Sequence, residues 1–311
     1  MNKLHITLSL ACFIFFTACN NSSSDTSSDE RESHTIEHKL GSIEVVENPK
    51  KIVVFDLGSL ETLHELGINE EVVGIPKRAL PDYLDSYKND PDVTDVGSLV
   101  EANFEKVSAL NPDLIIISGR LEKYYDEMNK IAPTLFLEVD AKDYMGSFKK
   151  NATTLAQIFN KDEEAQEKIE DIEKKIAEAQ EKTKDTDKEA LILLYNNTRF
   201  SAYGKNSRFG FIHDVMHIAP SVKDLEVSTH GQVVSNEFIL NADPDYIFII
   251  DRNKVVNQKA SNRDEIENPL IKQTKAAKND KIIYLDPAVW YLSGGGLIST
   301  KEMMEEIVDN L

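Results

Sequence analysis

Cysteine is nearly absent from this 311-residue chain, which holds only Cys12 and Cys19. Cys12 falls inside an apolar leader, so the exported protein is expected to keep Cys19 alone, which excludes a disulfide framework and a thiolate metal site. Positive charge is scarce too, with 35 Lys and Arg against 54 Asp and Glu and a net charge of -19. That balance argues against nucleic acid and against anionic lipid as a peripheral partner. Long apolar stretches are missing except for Leu8 to Ala18, too short for a comfortable membrane helix. No Ser-His-Asp, Cys-His or paired-carboxylate arrangement emerges that would need a catalytic explanation, so the chain is not expected to be an enzyme.

What the chain does have begins with an address. Met1-Asn2-Lys3 is a short basic start, the apolar stretch follows, and Phe16-Thr17-Ala18 leads into Cys19. This reads as a bacterial lipoprotein signal over residues 1–18, with Cys19 becoming the lipid-bearing first residue of an extracytoplasmic protein anchored to the cell membrane. Asn20 to Ser33 is almost all Ser, Asn, Asp, Thr and Glu, which cannot bury apolar area, so residues 19–34 are expected to be a solvated tether.

A ten-residue phrase occurs twice. Asn111-Pro112-Asp113-Leu114-Ile115-Ile116-Ile117-Ser118-Gly119-Arg120 returns as Asp243-Pro244-Asp245-Tyr246-Ile247-Phe248-Ile249-Ile250-Asp251-Arg252. Each copy ends in arginine eight residues after its proline, and each has a glutamate seven residues before it, Glu105 and Glu237. The repeat predicts two similarly built lobes, each offering one cation at a strand end and one carboxylate on a helix, with a ligand between them.

The rest of the pattern agrees. Strands are predicted at 51–55, 72–75, 114–117, 134–137, 190–195, 246–250 and 282–285, alternating with helices, which indicates parallel α/β units. Helices are expected around 59–67, 105–110, 210–216, 236–240 and 293–310. Over 161–182, Ala165, Ile169, Ile172, Ile176 and Ala179 form an apolar stripe, while Glu164/Lys168, Glu170/Lys174, Asp171/Lys175 and Glu178/Lys182 are spaced as i,i+4 pairs. The expected organisation is an N-terminal α/β lobe over 35–158, a bridging helix over 159–185 that permits only modest rocking, and a C-terminal α/β lobe over 186–311.

Ser207-Arg208-Phe209-Gly210-Phe211-Ile212-His213-Asp214 and Trp290-Tyr291-Leu292-Ser293-Gly294-Gly295-Gly296 add a further likeness. With the lipoprotein signal, the repeated phrases and the bridging helix, the whole mature chain resembles the substrate-binding lipoproteins of iron-siderophore ABC importers, nearest to those that take enterochelin and petrobactin. The resemblance implies two Rossmann-like lobes joined by one long helix, the helical-backbone type of periplasmic binding protein, with no intrinsic cofactor. It implies that Arg120, Arg208 and Arg252 line a cleft for a ferric catecholate, and that His230 and Tyr291 can complete the iron's coordination when the chelate leaves positions open. It also implies that Glu105 and Glu237 dock on ABC permease subunits. A monomer is the default.

Physical chemistry supports that assignment on its own terms. A ferric catecholate is a compact anion with a flat aromatic rim, and guanidinium is always charged, weakly hydrated, forked and able to stack on rings. Ferric iron is a hard acid for which phenolate and imidazole are suitable donors. The competing readings are a haem or cobalamin carrier of the same architecture, with His230 and Tyr291 as axial ligands, and a surface zinc enzyme using His213 and His217 at helical spacing. Ser293-Gly294-Gly295-Gly296 lacks the Lys-Ser/Thr of a phosphate loop and is expected to be a tight turn with Ser293 capping the last helix.

Overall fold

The aliphatic runs become strands buried on both faces, as parallel strands covered by helices must be. The computed structural model describes residues 33–184 and 187–311; the expected leader, Cys19 and most of the tether lie outside the described residues. An antiparallel hairpin comes first, β1 (Ser33–His38) against β2 (Gly41–Val46). A five-stranded sheet follows, built from β3 (Ile52–Val54), β4 (Val72–Ile75), β5 (Thr94–Asp95), β6 (Leu114–Ile117) and β7 (Thr134–Phe136). Its order is β5-β4-β3-β6-β7 and every pair is parallel.

The second sheet contains β8 (Glu189–Asn196), β9 (Arg199–Tyr203), β10 (Ala219–Pro220), β11 (Gln232–Val234), β12 (Tyr246–Asp251) and β13 (Ile282–Leu285). Its main path is β11-β9-β8-β12-β13, with β10 also on β8. Its core pairs, β8-β12-β13, are parallel as expected, and β9 is an addition that runs antiparallel to both neighbours. Asn197 and Thr198 both take positive φ and turn the chain straight back, so β8 and β9 form a hairpin in place of a crossover.

Strand periodicity divides the interior into three cores. Val53, Ile115 and Ile117 face one satellite cluster, and Leu191, Leu193 and Ile249 face another. Their alternate neighbours Ile52, Ile116, Ile192 and Phe248 join a single large cluster that runs through both lobes. The bridging helix, Asp162–Thr183, feeds that cluster with Ala165, Ile169, Ile172, Ile176 and Ala179, all buried as the stripe predicts. Its surface pairs differ from expectation. Asp171 and Lys175 meet at 2.6 Å, but Lys168 reaches Glu65 on another helix and Glu164 pairs with Lys161. Exposed charges are held too weakly for spacing alone to dictate a partner.

The last helix, Leu297–Val308, returns to pack on the helix Leu57–Glu65 and on the bridging helix. It starts four residues after Ser293, and its N-cap is Gly296, whose N–H donates to Ser299 Oγ. Ser293 instead donates its hydroxyl to Glu61 at 2.7 Å. Glu61 is fully buried, and its carboxylate also accepts from the Tyr83 hydroxyl (2.5 Å) and from the Ser299 N–H (2.7 Å) and hydroxyl (2.5 Å). Gly296 of the Ser-Gly-Gly-Gly loop serves this close approach: a Cβ there would collide with Glu61 Oε1 and with the Gly58 carbonyl oxygen. Among the described residues, no helix is long and apolar enough to cross a membrane.

Candidate functional site

The repeated phrase is a strand-entry device. Asn111 and Asp243 both take positive φ, +48° and +40°, which turns the chain out of one helix and into the proline. The following aspartates then cap the neighbouring strand. Asp113 accepts from the N–H groups of Lys50 and Lys51 just before and at the start of the run into β3, and Asp245 accepts from that of Glu189 in β8. β6 and β12 are thereby held in register with their neighbours; β6 ends three residues before Arg120 and β12 ends at the residue before Arg252. Arg120 enters the 3-10 turn Gly119–Tyr124, and Arg252 opens the helix Arg252–Val256.

Both arginines converge on Tyr291. It lies in a π-helical turn, Ala288–Leu292, where Ser293 N–H reaches back to the carbonyl of Ala288 and the wider turn leaves later carbonyls free to accept. Arg120 donates to the carbonyls of Tyr291 (2.7 Å) and Leu292 (3.2 Å). Arg208 donates to the Tyr291 carbonyl at 2.7 Å and lies over the Tyr291 ring at 4.2 Å. Arg252 donates from Nε to the Tyr291 phenol oxygen at 2.7 Å and from Nη1 to Asn196 Oδ1 at 3.0 Å. Among the described residues, none of the three arginines forms an ion pair with a carboxylate; their partners are carbonyls, an amide and a phenol.

A hollow opens beside this cluster in two adjoining chambers. One, of about 560 Å³, is walled by Arg120, Arg208, Tyr291, His230, Ser59 and Glu138, among others. The second, about 820 Å³, shares Arg208, Glu138, Asn151 and Thr229 with the first and extends to Lys39 on the β1–β2 hairpin. Arg252 is not among the residues lining either chamber and reaches the site through the phenol. His230 is exposed, in the loop that turns into β11. Gly231, at φ +69°, makes that turn, and a Cβ there would collide with the Tyr203 ring at 2.7 Å.

The electrostatics follow from this crowding. Burial pulls the Arg120 guanidinium below its ordinary range, aided by the like charge of Arg208. For Tyr291, burial alone would raise the phenol, but the hydrogen bond from Arg252 and the charges of Arg208, Arg252 and Arg120 outweigh it and leave the pKa below the usual tyrosine value. Tyr203 nearby has no such donor, and burial pushes it up to about 12. Acids are present as well: Asp56 lines the hollow and its charge acts on Arg120, while Glu122 (3.2 Å) and Glu138 (3.0 Å) at the mouth are held by Lys39.

The other sequence-predicted residues sort differently. Glu105 and Glu237 are exposed at equivalent places, in the first turn of Phe104–Ala109 and Asn236–Ala242, each behind a side-chain N-cap, Asn103 or Ser235. The zinc pair dissolves: the helix Phe211–Asp214 ends before His217, which has positive φ and is exposed, while His213 is buried with Nδ1 against the Ile218 carbonyl at 2.8 Å. Among the described residues there is no metal-binding cluster of three His, Cys, Asp or Glu. Sequence reasoning missed the hollow's walls at Asp56, Ser59, Glu138, Asn151 and Thr229. Only Asp56 carries a usable signal, an N-cap aspartate directly after a strand, accepting from Ser59 N–H.

Comparison with known proteins agrees with this geometry. A family model described as periplasmic binding protein matches residues 52–289. The petrobactin-binding protein YclQ of Bacillus subtilis (strain 168) is 43% identical over 308 residues, covering 98% of this chain and 97% of that one. The ferric-anguibactin-binding protein FatB of Vibrio anguillarum (strain ATCC 68554 / 775) is 35% identical over 278 residues, covering 88% and 86%. Among solved structures, that of petrobactin-binding protein YclQ from Bacillus subtilis matches with a TM-score of 0.88 and 45% identity, covering 90% of this chain and 99% of that one. The siderophore-binding protein BauB, bound to a complex between two molecules of acinetobactin and ferric iron, matches with a TM-score of 0.83 and 34% identity, covering 90% and 98%.

Proposed function

Because the chain belongs to the periplasmic binding protein family, we propose that it is the lipid-anchored receptor of an ABC importer that captures a ferric catecholate-type siderophore, petrobactin-like or bis-catecholate, and passes it to the permease. The observation that carries this reading is the set of three arginines gathered on Tyr291 without a carboxylate partner, in a chain of net charge -19. The three arginines are held by neutral groups, so their charge stays available to an anion entering the hollow.

Arg120 and Arg208 face the chelate's oxygens, and Arg208 also offers a flat cation to an aromatic rim. When the chelate supplies four donors, His230 and the phenol of Tyr291 fill the remaining positions on iron, which is cargo and not a resident cofactor. Glu105 and Glu237, one per lobe, meet cationic pockets on the permease. The lobes are 35–158 and 186–311, joined by 159–185, in a monomer held to the membrane through Cys19.

Trp290 provides the test, being the single tryptophan and adjacent to Tyr291. Its indole is buried, donating to Glu306 at 2.7 Å, so its emission responds to what happens at the neighbouring residue and not to bulk solvent. Titration with ferric catecholates should quench it saturably, while haem, cobalamin and ferric hydroxamates should act weakly. A preference for haem would overturn the proposal.

A further inference from the structure

Two parallel strands of the second sheet stop level with each other, Asp251 of β12 standing opposite Tyr195 of β8. The next residue along each strand is therefore also matched, and Arg252 lies beside Asn196. Asn196 Oδ1 accepts from Arg252 Nη1 at 3.0 Å, and Arg252 Nε donates to the Tyr291 phenol oxygen at 2.7 Å. A guanidinium is planar and rigid, so holding one arm of its fork fixes the direction of the other. The geometry points to Asn196 as a positioning residue for the phenol of Tyr291, acting through Arg252. This rests on the reading of the hollow as a ferric catecholate site and adds a determinant of which chelates it prefers.

The chemistry of the partner matters. A carboxylate in the place of Asn196 would form an ion pair with Arg252 and cancel much of the field directed at the phenol. The amide holds the fork without neutralising it. Arg208, stacked on the ring at 4.2 Å, leaves the phenol oxygen to Arg252. An oxygen held in this way is presented as a hard donor to iron with open coordination positions. A chelate that supplies six donors of its own has no use for it. Asn196 therefore bears on tetradentate chelates and not on hexadentate ones, and the absence of Arg252 from the residues lining the two chambers fits a role exerted through Tyr291.

The experiment compares Asn196→Ala and Asn196→Asp with the unaltered protein, using Trp290 emission to follow a ferric tetradentate bis-catecholate and a ferric hexadentate tris-catecholate. Loss of the charge-assisted hydrogen bond in Asn196→Ala, or neutralisation of Arg252 by an ion pair in Asn196→Asp, should raise Kd for the tetradentate complex about tenfold and for the hexadentate complex less than about twofold. The phenolate-to-iron absorption band of the tetradentate complex should shift. Asn196→Asp preserves side-chain size, so it carries the comparison if the alanine variant folds poorly. Equal changes for both chelates, or none for either, would overturn the relay while leaving the catecholate site standing. If the unaltered protein binds neither chelate, the catecholate reading itself fails and this inference with it.

Discussion

Tyr291 is gripped at two places by three cations: Arg120 and Arg208 take its carbonyl, and Arg252 takes its phenol. Those charges hold the phenol below the ordinary tyrosine range, so an alkaline ultraviolet titration should show one tyrosine ionising ahead of the others. Tyr291→Phe should abolish that early step, and an unchanged curve would refute it. Glu61 offers a second residue-scale test. Burial raises its pKa from 4.5 to about 7 despite four donors. A carboxyl whose pKa is raised on folding gives stability that is present below its unfolded value and lost as pH rises through the folded one. Between pH 4.5 and about 7 the unaltered protein should therefore lose melting temperature relative to Glu61→Gln; parallel curves would show that Glu61 does not titrate there. The sequence announced the arginines because two of them repeat, whereas Glu61 and Asn196 look like any other polar residue until distant segments meet them.

At the level of elements, the bridging helix was the easiest to read, because its five apolar side chains follow helical spacing and all five are buried. Ile172→Ala opens a cavity in the cluster shared by both lobes and should destabilise by about 2–5 kcal/mol in chemical denaturation. Asp171→Ala removes an exposed pair with Lys175 and should leave the melting temperature unchanged within error. Other elements were hidden for physical reasons. In the β1–β2 hairpin only Ile43 and Val45 are buried, so the apolar signal is too thin to stand out. β9 was missed because Asn197-Thr198 is a hairpin turn without glycine, made possible by two positive φ values that Thr rarely adopts. The π-turn at Tyr291 has no sequence signature of its own, and the arginines that use its carbonyls, Arg120 and Arg208, come from distant segments.

For the whole molecule, the halves are joined by the bridging helix, by the last helix packed on Leu57–Glu65, and by the loop that carries Tyr291 into Ser293 and onto Glu61. All three run through or against one continuous core. Ligand capture should therefore proceed with little change in radius of gyration, and small-angle scattering with and without a ferric catecholate should give nearly superposable curves. Delivery is a separate property. Replacing both Glu105 and Glu237 by alanine should eliminate uptake while leaving Trp290 quenching intact; normal uptake would remove docking from these residues.

The knot around Glu61 also sets an order of assembly. Its carboxylate receives Ser293, 232 positions onward, and Ser299, 238 positions onward. Until those donors have been synthesised, the helix Leu57–Glu65 must either keep Glu61 in water or bury it half satisfied, so the first half of a nascent chain cannot finish its own interior.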